Sequence, residues 1–379
     1  ATIYTPTQHD LFMIARNWDR LSPAFKRLYR EATAIPSGML SYSSPGGNFQ
    51  IYYAVEGTDS VDITDRYGFA AGNWRRRVPT PNGVPDYVDE AAWACDSAWS
   101  MEVDRFGFVE PYPTQDKRHS SERYAVVITR QQSDIYGMTY GSGRIPDRTA
   151  GHASHFEIRN EWEGWTLDNI DYEKHPEKGI HITCVHELFH AIQYAMSWKV
   201  QSSVLLDDYP LTWLEGTAVL MEDLGFDSVN DYVQYCHDYF TSPQDPLYAR
   251  DEYGITIYKN SLISMFLYEH VGSTPSIDFI KKVLYDNYAR SLPFHENLEQ
   301  AAHASGTRWA DLLNRFHAQS FFTGSRAVGG RFLADAALLP QWDYEVDTHF
   351  EGGEPLSKRI LPYAMQSYAI AYERSHADT

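Results

Sequence analysis

The stretch from Thr183 to Tyr194 contains no Gly and no Pro, and its only charged residue is Glu187. An uninterrupted run of this kind reads as a buried helix. Inside it stands His186-Glu187-Leu188-Phe189-His190. On a helix, positions i and i+4 share a face, so both imidazoles reach one point in space and can hold one ion. Glu187 lies beside the first histidine and reaches a water on such an ion instead of the ion itself. A zinc ion lowers the pKa of bound water toward about 7, and a neighbouring carboxylate then completes a general base. The competing reading is a pair of satisfied core histidines on an amphipathic helix. Whatever its chemistry, the chain has to fold around this helix.

A catalytic zinc takes a third protein ligand and keeps a fourth position open. The segment Pro210-Leu211-Thr212-Trp213-Leu214-Glu215-Gly216-Thr217-Ala218 supplies one carboxylate, Glu215, at an apolar helix start. A buried unpaired charge is costly, and a metal partner removes that cost. Glu222, two helical turns on, is the fallback ligand, and Gln193 to Trp198 offers no third histidine. Amide hydrolysis also needs a donor to the developing oxyanion. Tyr253 and Tyr258 precede an apolar helix over Ser261 to Tyr268; Tyr258 is the choice and His237 the weaker candidate.

Around this core the pattern is α+β. Helical spacing covers much of the first forty residues, then Phe49 to Val55 reads as a strand and Asp86 to Phe106 as a long helix. Tyr124 to Thr129 reads as a buried strand, and the alternation at His155 to Arg159 as an exposed or edge strand. Beyond Gly179 helices dominate, with segments at 211–224, 230–240, 253–270, 276–288 and 309–321. The expected organisation is a helical extension over residues 1–44, a main domain over 45–325 and a β-rich extension over 326–379.

Lys plus Arg number 32 against 51 Asp plus Glu, a net charge of -19 that repels phosphate backbones and rules against a nucleic-acid partner. Cys95, Cys184 and Cys236 are too sparse for a disulfide framework or a cysteine-held metal. No apolar run approaches the ~20 residues of a membrane span. Aromatics make up 15%, including 27 Tyr and 10 Trp, which suits either an aromatic core or a polymer-binding surface.

The two motifs, His-Glu-Leu-Phe-His and Trp-Leu-Glu-Gly-Thr-Ala, resemble the metal helix and glutamate helix of gluzincins, the thermolysin-like branch of zinc peptidases. With Asn82-Gly83-Val84-Pro85-Asp86-Tyr87-Val88-Asp89-Glu90 upstream, the chain resembles more narrowly a group of bacterial secreted metalloproteases over roughly Phe49 to Phe321. The resemblance implies a zincin-like fold. A small twisted sheet packs on the active-site helix, an edge strand near His155 to Asn160 pairs with substrate, and a mainly helical second half closes the cleft. It further implies one catalytic Zn2+ on His186, His190 and Glu215, Glu187 as base, and a peptide or protein substrate. With the acidic charge and the Ala1 start, it implies an extracellular setting.

Two positions depart from the pattern. Val219 stands where thermolysin-like enzymes place an Asp that orients a metal histidine, so that support must come from elsewhere. Val78 and Thr80 stand where relatives have oxygen ligands for calcium, which leaves Asn82, Asp86 and either Asp89 or Glu90. A turn with a helix cap is therefore expected there ahead of calcium. Two other readings stay open: an inert zinc-binding surface module, against which the intact Glu187 weighs, and a zinc hydrolase of glycopeptides or other amides.

Overall fold

The computed structural model describes the chain from Thr7 to Asp347 and again at Tyr368–Ile370. Exceptions are residues 197–210, 243–257 and 291–293 and the single positions 120, 133, 147, 149, 150, 168, 169, 260, 330, 343 and 344. Helix α1 (Gln8–Arg16) starts with a capping box. The Asp10 carboxylate accepts from the Thr7 N–H at 2.8 Å, and the Thr7 hydroxyl accepts from the Asp10 N–H at 3.3 Å. Helix α2 (Pro23–Ala32) has Ser22 as its cap and Pro at its first position.

The sheet is mixed. Strands β1 (Leu40–Ser43) and β2 (Phe49–Tyr53) are antiparallel, and a small hairpin, β3 (Gly68–Ala70) with β4 (Asn73–Val78), stands apart. Strands β5 (Tyr124–Thr129), β6 (Gly137–Arg144) and β7 (His152–Arg159) complete an order β1-β2-β5-β7-β6. The central β2, β5 and β7 run parallel, and every residue of β5 is buried, as a sheet covered on both faces requires.

Edge position is where expectation fails. The strand near His155 to Asn160 is interior, hydrogen-bonded to β5 on one side and β6 on the other, and the edges belong to β1 and, on the α4 side, to β6. The alternation at His155–Arg159 does not mark an exposed face, because His155 and Phe156 are both buried and only Glu157 is partly open. The true edge, Gly-Met-Thr-Tyr-Gly-Ser-Gly-Arg, holds glycines at positions 137, 141 and 143 and has no β-branched run to betray it.

Helix α3 (Asp86–Trp99) continues into a π-helical turn at Ser100–Arg105. Helix α4 (Pro176–Ala195) carries the histidines and packs on β6, β7, α3 and α5 (Leu211–Phe226). Gly179 is required on α4, since a Cβ there would sit 2.4 Å from the Trp162 ring. Before α3 the expected turn is present, with Asp65 accepting from the N–H groups of Asn82 (3.2 Å) and Gly83 (2.8 Å). The side-chain cap is absent: Pro85 is the cap residue, and Asp86 instead accepts from the Arg66 and Tyr67 N–H groups.

The second half is helical. A 3-10 segment, Asp231–Cys236, leads into α6 (His237–Thr241), so the single helix expected over 230–240 is broken at its start, where Asn230 adopts a left-handed φ of 52°. Helices α7 (Ser261–His270), α8 (Asp278–Arg290), α9 (Phe294–Ala304) and α10 (Trp309–Ser320) follow. Strands β8 (Glu345–Asp347) and β9 (Tyr368–Ile370) pair in parallel. With ten α-helices among the described residues and a five-stranded mixed sheet, the architecture is mixed and consistent with α+β. No described helix is long and apolar enough to cross a membrane. Cys95, Cys184 and Cys236 are all buried and free.

His317 on α10 ties the fold to pH. It is 7% exposed, its Nδ1 pairs with the Tyr239 hydroxyl at 2.9 Å, and burial pushes its imidazole down from 6.5 to about 4. A neutral imidazole in the fold and a readily protonated one in the unfolded chain make stability fall as pH drops through that window. His317→Phe cannot titrate, and Tyr239 retains Ser320 at 3.0 Å. Between pH 6.5 and 4 the variant should gain up to ~3 kcal/mol relative to the parent, read by urea unfolding at a series of pH values.

Candidate metal centre

Helix α4 presents His186 and His190 on one face, ring centroids 4.5 Å apart, and α5 brings Glu215 beneath them. Glu215 Oε2 lies 3.2 Å from His186 Nε2 and 3.2 Å from His190 Nε2. These three residues form a group whose ligand atoms all lie within 4.8 Å of one another, so they could hold a metal ion. The other Glu215 oxygen, Oε1, is buried without a hydrogen-bond partner among the described residues. A carboxylate 0% exposed with one unmatched oxygen is expensive unless a cation answers it.

The remaining imidazole nitrogens are already committed. His186 Nδ1 donates to Glu222 Oε1 at 2.6 Å, and His190 Nδ1 donates to Gln193 Oε1 at 2.8 Å. The Gln193 amide is fixed in turn by donating to the Leu214 carbonyl (3.1 Å) and the Thr217 hydroxyl (3.2 Å). With each Nδ1 so anchored, Nε2 is the atom that faces the shared oxygen, where it donates a proton to Glu215 or, with that proton displaced, is free to bind a metal, the usual support for a metal-binding histidine. Glu222 therefore orients a histidine and is not itself in the ligand group. Together, Glu222 and Gln193 supply what Val219 cannot.

Charge tells the same story. Burial alone would push the His186 imidazole down, yet the hydrogen bonds and charges of Glu215 and Glu222 hold it well above its usual value. Burial likewise pushes the Glu215 carboxyl up, and the two imidazoles outweigh it, holding it at about 2. Burial pushes Glu222 up to about 7 against the pull of His186. The pocket is built to contain positive charge, supplied by a proton or by a metal. The two compete for Nε2, so metal binding should release protons and tighten as pH rises. Calorimetry in buffers of differing ionisation enthalpy checks this. Glu222→Ala and Gln193→Ala should each weaken the metal by roughly 10- to 100-fold.

Glu187 is 4% exposed and points toward β6, where the Thr139 hydroxyl donates to its Oε2 at 2.6 Å. Burial raises its carboxyl, opposed by the two histidines. A Cβ on Gly137 would meet the Glu187 Cγ at 2.9 Å and the Thr183 methyl at 2.6 Å, so this edge sits directly against Glu187.

Tyr258 lies at the site, its ring 6.3 Å from that of His186 and 5.0 Å from that of Tyr235. Burial, then the charges of Glu215, Glu187 and Glu222, hold its phenol well above the usual range, so it keeps its proton. Behind it Asp231 accepts from the Tyr172 hydroxyl and from Gln234 Nε2 at 2.8 Å. His237 is exposed at the start of α6, and Tyr253 lies outside the described residues. The triad is sealed unevenly, with the side chain of His186 13% exposed and that of His190 1%. A second acidic group, Asp223, Asp227 and Asp335, lies nearer the surface.

Helical spacing singles out His186 and His190 with Glu187 beside them, Glu215 stands out as a lone carboxylate in an apolar helix start, and Tyr258 is a choice among Tyr253, Tyr258 and His237. Spacing gave no sign of Thr139 or of the Asp231 cluster, though Gln193, one turn past His190, was open to the same face argument. No protein-family model matches the chain, and no curated protein matches it.

Proposed function

We propose that the chain is a secreted zinc-dependent peptide hydrolase of the gluzincin kind, acting on peptide or protein substrates. One observation carries the reading: a single buried carboxylate oxygen stands 3.2 Å from two imidazole nitrogens whose partner nitrogens are already anchored. The zincin-like features that support it are an antiparallel edge strand, β6, packed beside the metal helix and a helical half beyond it. The acidic surface and the resemblance support an extracellular setting.

His186, His190 and Glu215 would hold one zinc, which supplies Lewis acidity and acidifies a water when bound. Glu187, held by Thr139, takes a proton from the attacking water as the new C–O bond forms and the carbonyl π bond opens to an oxyanion; it then delivers that proton to the leaving amine as the carbonyl reforms and the C–N bond breaks. Tyr258, still protonated, donates toward the oxyanion. The exposed side of His186 leaves room for a substrate carbonyl.

A diverse peptide library offered to the zinc-loaded protein should be cleaved, with cleavage lost on chelation and restored by zinc. Bound zinc without cleavage would leave an inert zinc-binding module.

A further inference from the structure

We propose that helix α1 is a fixed stop across the substrate path, with Gln8 at its tip, so that the enzyme trims chain ends and does not cut long chains internally. The inference rests on the hydrolase reading above.

An extended peptide binds a sheet edge through main-chain hydrogen bonds. At the free edge of β6, the residue next to the base is Thr139, whose hydroxyl holds Glu187. Its main-chain groups are already taken. The Thr139 N–H donates to Gln8 Oε1 at 3.1 Å, and the Thr139 carbonyl accepts from Gln8 Nε2 at 3.1 Å. A primary amide offers the same donor and acceptor as a peptide unit, so Gln8 fills the place of one substrate residue.

From there α1 and the segment after it follow the edge. A Cβ on Gly141 would lie 3.5 Å from Ala15, and one on Gly143 would lie 3.7 Å from Trp18. Phe12 stacks on Tyr194 at 4.5 Å and sets its ring edge-on to His190 at 5.5 Å, closing the less exposed side of the triad. At Gly137, by contrast, the neighbours belong to α4 and β7. Among the described residues, α1 and the segment after it thus take up the Gly141–Gly143 side of this edge, which leaves the Gly137 side for substrate.

The helix is a wall and not a lid. Leu11, Phe12, Ala15 and Trp18 are 1%, 2%, 2% and 4% exposed, and Leu11 and Trp18 pack with Met138 of β6 itself. Lifting α1 and the turn that follows it would uncover all four at once, at a cost set by their apolar area. The capping box at Thr7 fixes the end that carries Gln8.

The test uses the zinc-loaded full chain and a short fluorogenic peptide that it cleaves, lengthened by several residues at the N-terminus, the C-terminus or both. One lengthening should be tolerated, and the other should lower kcat/KM by about 100-fold. Gln8→Ala, with its melting temperature checked against the parent, should reduce that penalty to about tenfold or less. Cleavage of the doubly lengthened peptide within about twofold of the short one would overturn the stop and leave α1 as simple edge protection. If no variant cuts any peptide, the hydrolase reading falls by itself, and amide exchange at Thr139 judges Gln8. Slow exchange in the parent and fast exchange in Gln8→Ala would keep Gln8 as the occupant of the edge; equal rates would overturn it.

Discussion

Glu187→Gln is expected to lower turnover by about a thousandfold or more while zinc stays bound. The substitution preserves shape in a position that is 4% exposed, and the Thr139 hydroxyl can donate to the amide oxygen as it does to the carboxylate at 2.6 Å. The metal ligands are untouched, because Glu187 is not one of the three clustered donors. What disappears is the carboxylate beside His186 on α4 that would take up and return a proton. Metal analysis of the purified variant, alongside kcat on the best library peptide, separates the two quantities. Undiminished turnover would remove Glu187 from the chemistry.

The second large effect is at Glu215. Glu215→Ala deletes the one carboxylate of the triad and should weaken zinc far beyond the roughly 10- to 100-fold expected for Glu222 or Gln193. It also takes away the shared acceptor of both Nε2 atoms, leaving two imidazoles facing a small cavity. Zinc at a thousandfold excess over its Kd should stabilise the parent by ~4 kcal/mol, whereas the variant should show no zinc-dependent shift in Tm. Scanning calorimetry with and without zinc reads this directly. A full zinc shift in the variant would mean that the ion is held elsewhere, with the group formed by Asp223, Asp227 and Asp335 the next place to look.

The parts of this site legible in the sequence were those with short-range geometry. His186 and His190 are one helical turn apart, and Glu215 stands out as a lone carboxylate in an apolar helix start. The residues that complete the site are fixed by tertiary packing: Glu222 meets His186 across 36 positions, Thr139 meets Glu187 across 48, and Gln8 meets Thr139 across 131. No local period encodes such pairs. The edge strand was misplaced for a related reason. Glycines let β6 lie close against α4 and α1, and those same glycines erase the hydrophobic alternation by which strands are recognised. Buried β5, with its continuous apolar run, was read with its boundaries intact.

The most direct measurement is peptide cleavage by metal-free protein titrated with zinc. The rate should rise in proportion to added zinc and break sharply at one equivalent, marking a single catalytic ion. One equivalent bound with no cleavage, or cleavage that ignores zinc altogether, would contradict a hydrolase centred on His186, His190 and Glu215.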